Sequence, residues 1–78
     1  MSFKKLETVV LKHDLPTHGL CEGDLGAIVE LYPPDGLEVE FVTASGKTQA
    51  VVTLSELDVR QIGDQDLVAV RSLVKSAG

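Results

Sequence analysis

The sequence predicts an all-β fold, a small five-stranded sheet curled into a barrel. Three observations lead there. Five short runs rich in aliphatic and β-branched residues lie between positions 6 and 62, each bounded by Gly, Pro, Asp or Ser. One of them alternates cleanly between apolar and acidic residues. The whole chain has only 78 residues, enough for one core, and so small a sheet left flat would expose its edges and one bare face.

The first run, Leu6-Glu7-Thr8-Val9-Val10-Leu11-Lys12-His13, ends at Asp14-Leu15-Pro16, where proline removes a ladder donor. Its apolar residues point both ways, as in a strand covered on two faces. A loop over 14–24 follows, with Pro16, Gly19, Gly23 and Asp24. Strand two is Gly26–Tyr32, closed by Pro33-Pro34-Asp35-Gly36, in which proline fixes one corner and glycine is expected to take a positive φ. Strand three is Leu37–Val42, with Leu37, Val39 and Phe41 inward and Glu38 and Glu40 outward. Gly46 is the expected left-handed position of the next hairpin. In strand four, Thr48–Leu54, the inward set is Ala50, Val52 and Leu54. Ser55-Glu56-Leu57 suits a single 3-10 turn with Ser55 as its cap. Asp58–Ile62 is strand five, ended by Gly63.

A strand, a long loop, a three-strand meander, a 3-10 turn and a last strand form the order of an SH3-like barrel, which defines a domain over 1–63. Residues 64–78 form a C-terminal tail. Leu67, Val70 and Val74 fall at helical spacing, Asp64 and Asp66 suit a helix start, and Arg71 and Lys75 suit its end. The segment 64–75 therefore reads as an amphipathic helix, with a strand through Leu67-Val68-Ala69-Val70 as the competing reading.

Composition narrows the function. The net charge is −5, with twelve acids against seven bases. Residues 14–66 carry most of the negative charge and both ends are basic. Such a surface repels phosphate over most of its extent. The single cysteine, Cys21, permits no internal disulfide, which points to a reducing cytoplasm. No apolar stretch approaches the roughly 18 residues that span a bilayer, and the N-terminus lacks the apolar run of a signal segment.

His13, His18 and Cys21, with Asp14 beside them, are the most tempting chemical cluster, but their spacing matches no strong metal pattern. Here His13 reads as a strand end, His18 as a solvated residue and Cys21 as a small hydrophobe. A Cys21 nucleophile would need a depressed thiol pKa, which Glu22 and Asp24 oppose. No catalytic signature and no cofactor site stand out, so the chain reads as non-enzymatic.

Gly23-Asp24-Leu25-Gly26-Ala27-Ile28-Val29 recurs at the second strand of many SH3-like barrels, KOW modules among them. It is a fold signature first, because the glycines permit a tight corner and a sharply bent strand. KOW-like nucleic-acid binding through Lys4, Lys5, Lys12 and Lys47 is the alternative function. It lacks the basic surface and exposed aromatics that such modules use. Proline-rich peptide recognition would have only Tyr32 and Phe3 to stack on.

Leu6–Leu11, Asp14-Leu15-Pro16, Gly19-Leu20, Gly23–Val29, Glu38–Val42, Gly46-Lys47-Thr48 and Val52-Thr53-Leu54 through Asp58-Val59-Arg60 together resemble the bacterial domain-of-unknown-function family 4926. The resemblance covers residues 6–62 and implies a small SH3-like barrel with no assigned activity. Some members are encoded beside other small proteins, which implies a partner or antitoxin-like role. The segment after Gly63 departs from the family pattern. A weaker likeness links Thr53–Asp58 to SH3-like accessory subunits of photosynthetic electron-transfer complexes.

The expected function is therefore non-catalytic binding of another protein. The contact surface is expected at Glu22, Tyr32, Asp35, Glu38 and Glu40, facing a basic partner. An apolar stripe on a helix at 64–75 would need covering, which predicts a homodimer through that segment.

Overall fold

The computed structural model describes residues 2–73. It contains five antiparallel strands: β1 (Thr8–Leu11), β2 (Leu25–Tyr32), β3 (Gly36–Val42), β4 (Thr48–Ser55) and β5 (Val59–Gln61). Two 3-10 turns, Pro16–His18 and Glu56–Asp58, complete the regular structure. All five strands join one sheet in the order β4-β3-β2-β1-β5.

The alternation in the sequence sets which side each strand buries. Val39 packs across from Ile28 and Val52, and Leu37 across from Leu31 and Leu54. Val9, Leu11, Ile28, Leu37, Val39, Phe41, Leu54 and Val59 form the core, joined by Leu20 from the long loop. Ala50 and Val52 pack against it from β4, and so does the half-buried Phe3 from the N-terminal segment. Val10 is also buried, on the opposite face of β1, where Leu25, Ile62, Leu67 and Val68 surround a shallow depression. A strand buried on both faces is what the mixed pattern of the first run implied.

The predicted barrel is not closed. β4 and β5 are the two ends of the sheet and do not pair. β5 has three residues and gives its ladder to β1. The turn Glu56–Asp58 carries the chain from one end to the other. Ser55 caps it as expected: its hydroxyl accepts from Leu57 N at 3.1 Å, and Asp58 Oδ2 accepts from Ser55 N at 2.8 Å.

Gly46 takes the left-handed conformation expected of it (φ +87°), whereas Gly36 does not and belongs to β3 itself. The role of Gly36 is close approach, since a Cβ there would lie 3.0 Å from the Tyr32 carbonyl oxygen. Leu6, expected within the first strand, precedes it at φ +70° and is exposed.

The expected helix at 64–75 does not form over 64–73, and 74–75 lie outside the described residues. Its polar groups have other engagements. Asp66 accepts from Gly63 N at 2.7 Å and pairs with Arg60, and Arg71 reaches back to Asp24. With those groups committed, a short helix rich in valine has little to hold it. Leu67 (95% exposed) and Val70 (98%) consequently form no buried stripe.

Candidate functional site

The outer face of β2, β3 and β4 is built by cross-strand pairing. Glu40 lies between Ala27 on β2 and Val51 on β4, and Glu38 between Glu30 and Thr53. Facing residues of an antiparallel pair share one side of the sheet. Glu30, Glu38 and Glu40 therefore form one acidic surface. A register shift between Ile28 and Glu30 is what aligns Glu30 with Glu38. Strict alternation from Ile28 inward would also turn Glu30 inward, so an unbulged reading of strand two misses this residue.

Two of these carboxylates are held by hydroxyl groups. Tyr32 Oη donates to Glu38 Oε2 at 3.1 Å, and Thr48 Oγ1 donates to Glu40 Oε2 at 2.6 Å. The hydrogen bond to Glu38, with burial and the nearby charges of Glu38 and Glu30, pushes the Tyr32 phenol above its ordinary pKa. Lys5 Nζ lies 3.7 Å from Glu30 Oε1. Among the described residues no cation pairs with Glu38 or Glu40. Half-exposed apolar residues border them, Val51 (49%) and Val42 (48%).

Of the expected contact residues, Tyr32, Glu38 and Glu40 come together on this face. Asp35 sits at its end, in the β2–β3 turn, where its carbonyl accepts from Glu56 N at 2.9 Å. Glu22 belongs elsewhere: its backbone N–H donates to Asp14 Oδ1 in the long loop, and its charge acts on Arg60 of β5.

His13, His18 and Cys21 do not converge, and no group of three metal-ligating side chains occurs among the described residues. Cys21 is exposed rather than packed. His13 has a definite role at the end of β1. Its Nε2 donates to Asp58 Oδ1 at 2.7 Å and its Nδ1 to the Asp14 carbonyl at 3.1 Å. Both ring nitrogens face acceptors, a pattern only the imidazolium satisfies. The bond to Asp58 is the main cause holding the His13 pKa above its ordinary value.

A second concavity of about 560 Å³ lies between the tail and the β3–β4 turn. Leu20, Leu25, Phe41 and Val42 line one part of it, and Ala69 and Leu73 another. Arg71 holds the tail there through Asp24. The lysines of the alternative reading sit on separate elements: Lys4 and Lys5 before β1, Lys12 after it, and Lys47 beside β4.

A family model described as a domain of unknown function, DUF4926, matches residues 5–61. The chain belongs to this family. The matched stretch contains all five DUF4926 strands, the outer acidic face and the His13–Asp58 pair. Arg71 and the rest of the tail lie beyond it. No curated protein and no solved structure matches the chain. Among the described residues no helix is long and apolar enough to cross a membrane.

Proposed function

We propose that this DUF4926 domain is a non-catalytic protein-binding module and that the outer face of β2–β4 is its contact surface. The observation that carries this reading is the state of Glu38 and Glu40. Both are fixed by hydroxyl partners and, among the described residues, neither is paired with a cation. Preordered carboxylates beside half-exposed valines suit a partner with a basic, partly apolar face. An antitoxin-like or complex-accessory role would use the same surface.

Carboxylates already held in place lose little freedom on binding, and their charge accelerates encounter with a cationic surface. Such attraction weakens as salt screens it, over a length of about 10 Å at 0.1 M. The test is affinity capture from the native host at low salt, with mass spectrometry, using the unaltered chain and an E38Q/E40Q variant in parallel. A stoichiometric protein retained by the former and lost by the latter is the expected result. Absence of any such partner, together with retention of the chain on an RNA column at about 50 mM salt, would overturn it in favour of the nucleic-acid alternative.

A further inference from the structure

The two ends of the sheet differ in how they are protected. β5 is a three-residue edge whose Arg60 pairs with Asp66 and whose Gln61 donates to Glu7 Oε2 at 2.8 Å. β4 is an eight-residue edge, Thr-Gln-Ala-Val-Val-Thr-Leu-Ser, with no charged residue and no proline. Among the described residues no strand pairs with its outer side. Edge strands that stay single in natural proteins are short, or carry lysine, proline or a strong bulge that deters association. β4 has a register shift near Phe41 and Val42, at its first residues only. From Ala50 to Ser55 it has the composition of a strand that pairs.

We propose that two copies of this chain associate by antiparallel pairing of β4 with β4 about a two-fold axis. Such an axis stands perpendicular to the shared sheet, so an outward residue of one copy meets an outward residue of the other. Gln49 Nε2 donates to the His18 carbonyl at 3.3 Å, which brings the long loop to the start of β4, and Asp58 Oδ2 takes the N–H of Ser55 at its end, so the stretch offered for pairing is Ala50–Leu54. Pairing centred on Val52 sets Val51 opposite Thr53 of the second copy, and Ala50 opposite its Leu54. Every facing pair in that stretch is uncharged.

The strand ends supply the complementarity. Lys47 precedes β4 and Glu56 follows it. Antiparallel pairing carries Lys47 of one copy to the turn bearing Glu56 of the other, at both ends. Lys47 makes no ion pair among the described residues. Glu56 likewise makes no ion pair among the described residues, and one oxygen of its carboxylate is without a hydrogen-bond partner there. The two-fold places opposite charges at each end and leaves the outer acidic faces of both copies side by side.

The test is sedimentation of the full chain over a wide concentration range at about 150 mM salt. It needs no other protein, so its outcome is separate from that of the protein-binding reading. A dimer is expected, and Val51→Lys converts it to monomer. Val51 points outward beside Glu40, so this change leaves the core untouched. Lys47→Glu and Glu56→Lys should each raise the dimer dissociation constant by about tenfold, and the K47E/E56K double exchange should restore it. Because Glu56 is half-buried, a thermal melt accompanies its variant, and Lys47→Glu provides the arm free of that complication. A chain that remains monomeric up to about 1 mM overturns the proposal. So does a dimer that Val51→Lys and Lys47→Glu leave unchanged.

Discussion

Arg71 grips Asp24 through two hydrogen bonds, Nε to Oδ1 at 2.7 Å and Nη2 to Oδ2, across 47 positions of sequence. Nη2 also donates to the Gly19 carbonyl at 3.1 Å, and Asp24 Oδ2 accepts from Cys21 N at 2.8 Å. One guanidinium thus ties the tail to the loop before β2. The fork of an arginine fits a carboxylate in this way, whereas a lysine would offer a single point of charge.

Arg71→Ala should therefore release the tail and lower the melting temperature. After discounting for the exposure of Arg71, about 1 kcal/mol is expected, or roughly 4–8 °C in a domain of this size. The Arg71 guanidinium is the main cause holding the Asp24 carboxyl below its ordinary value. A depressed pKa gives stability that is present above the ordinary carboxylate range and is lost as pH falls through the lowered value. Melting curves of the two proteins should accordingly stay apart at about pH 4 and converge only at lower pH, as Asp24 is protonated in the folded state. A gap that persists into strong acid would show that the ion pair is not its source.

His13 and Asp58 have the complementary pH dependence. The His13 pKa is raised, so its contribution is complete below the ordinary histidine value of 6.5 and declines as pH rises through the raised one. The Asp58 carboxyl is lowered, chiefly by His13, so its contribution fails only in acid. The pair is intact between those limits. Asp58→Asn should lower the His13 titration midpoint seen by NMR while keeping an acceptor for Ser55 N. It should also flatten the decline of the melting temperature above about pH 6.5. An unchanged midpoint would mean that Asp58 does not set it.

Much of this arrangement was legible in the chain itself, for identifiable reasons. Leu37, Val39 and Phe41 alternating with Glu38 and Glu40 fixed one strand and both its faces, and Ser55 announced its own cap. Glu30 was not legible as a neighbour of Glu38, because a one-residue irregularity in β2 reverses the facing of every residue after it. The tail was misread because Leu67, Val70 and Val74 carry helical spacing, while the groups that decide the matter are distant in sequence. Arg60 captures Asp66 and Asp24 captures Arg71, and no local pattern reports such pairings. Barrel closure failed on the same ground, since whether β4 and β5 meet depends on the path of the turn between them.

Tyr32 offers a direct probe of the outer face. It is the only tyrosine and the chain has no tryptophan, so ultraviolet absorbance follows its phenol alone. The phenol is raised above its ordinary value, first by donating to Glu38 and then by burial and the charges of Glu38 and Glu30. Glu38→Gln removes a charge while retaining an acceptor oxygen. The midpoint of the alkaline titration should fall towards about 10. No movement would separate Tyr32 from Glu38 in solution and weaken the case for a preordered acidic face.

Gly26 is the position where the least addition should do the most harm. Its φ is not positive, so the constraint lies in space rather than in backbone conformation. A Cβ there would sit 2.5 Å from Val39 Cγ1 and 2.8 Å from Phe41 Cε1. Both neighbours belong to the buried core, and neither is the loose end of a flexible chain. Gly26→Ala should cost about 1–3 kcal/mol, the usual range for overpacking. Removing the obstructing methyl groups with Val39→Ala costs stability of its own by leaving a cavity. In the double variant the new methyl occupies part of that cavity, so G26A/V39A should lose less stability than its two single variants together. Denaturant unfolding of the four proteins measures this coupling, and strictly additive losses would show that the Gly26–Val39 contact is not what requires glycine here.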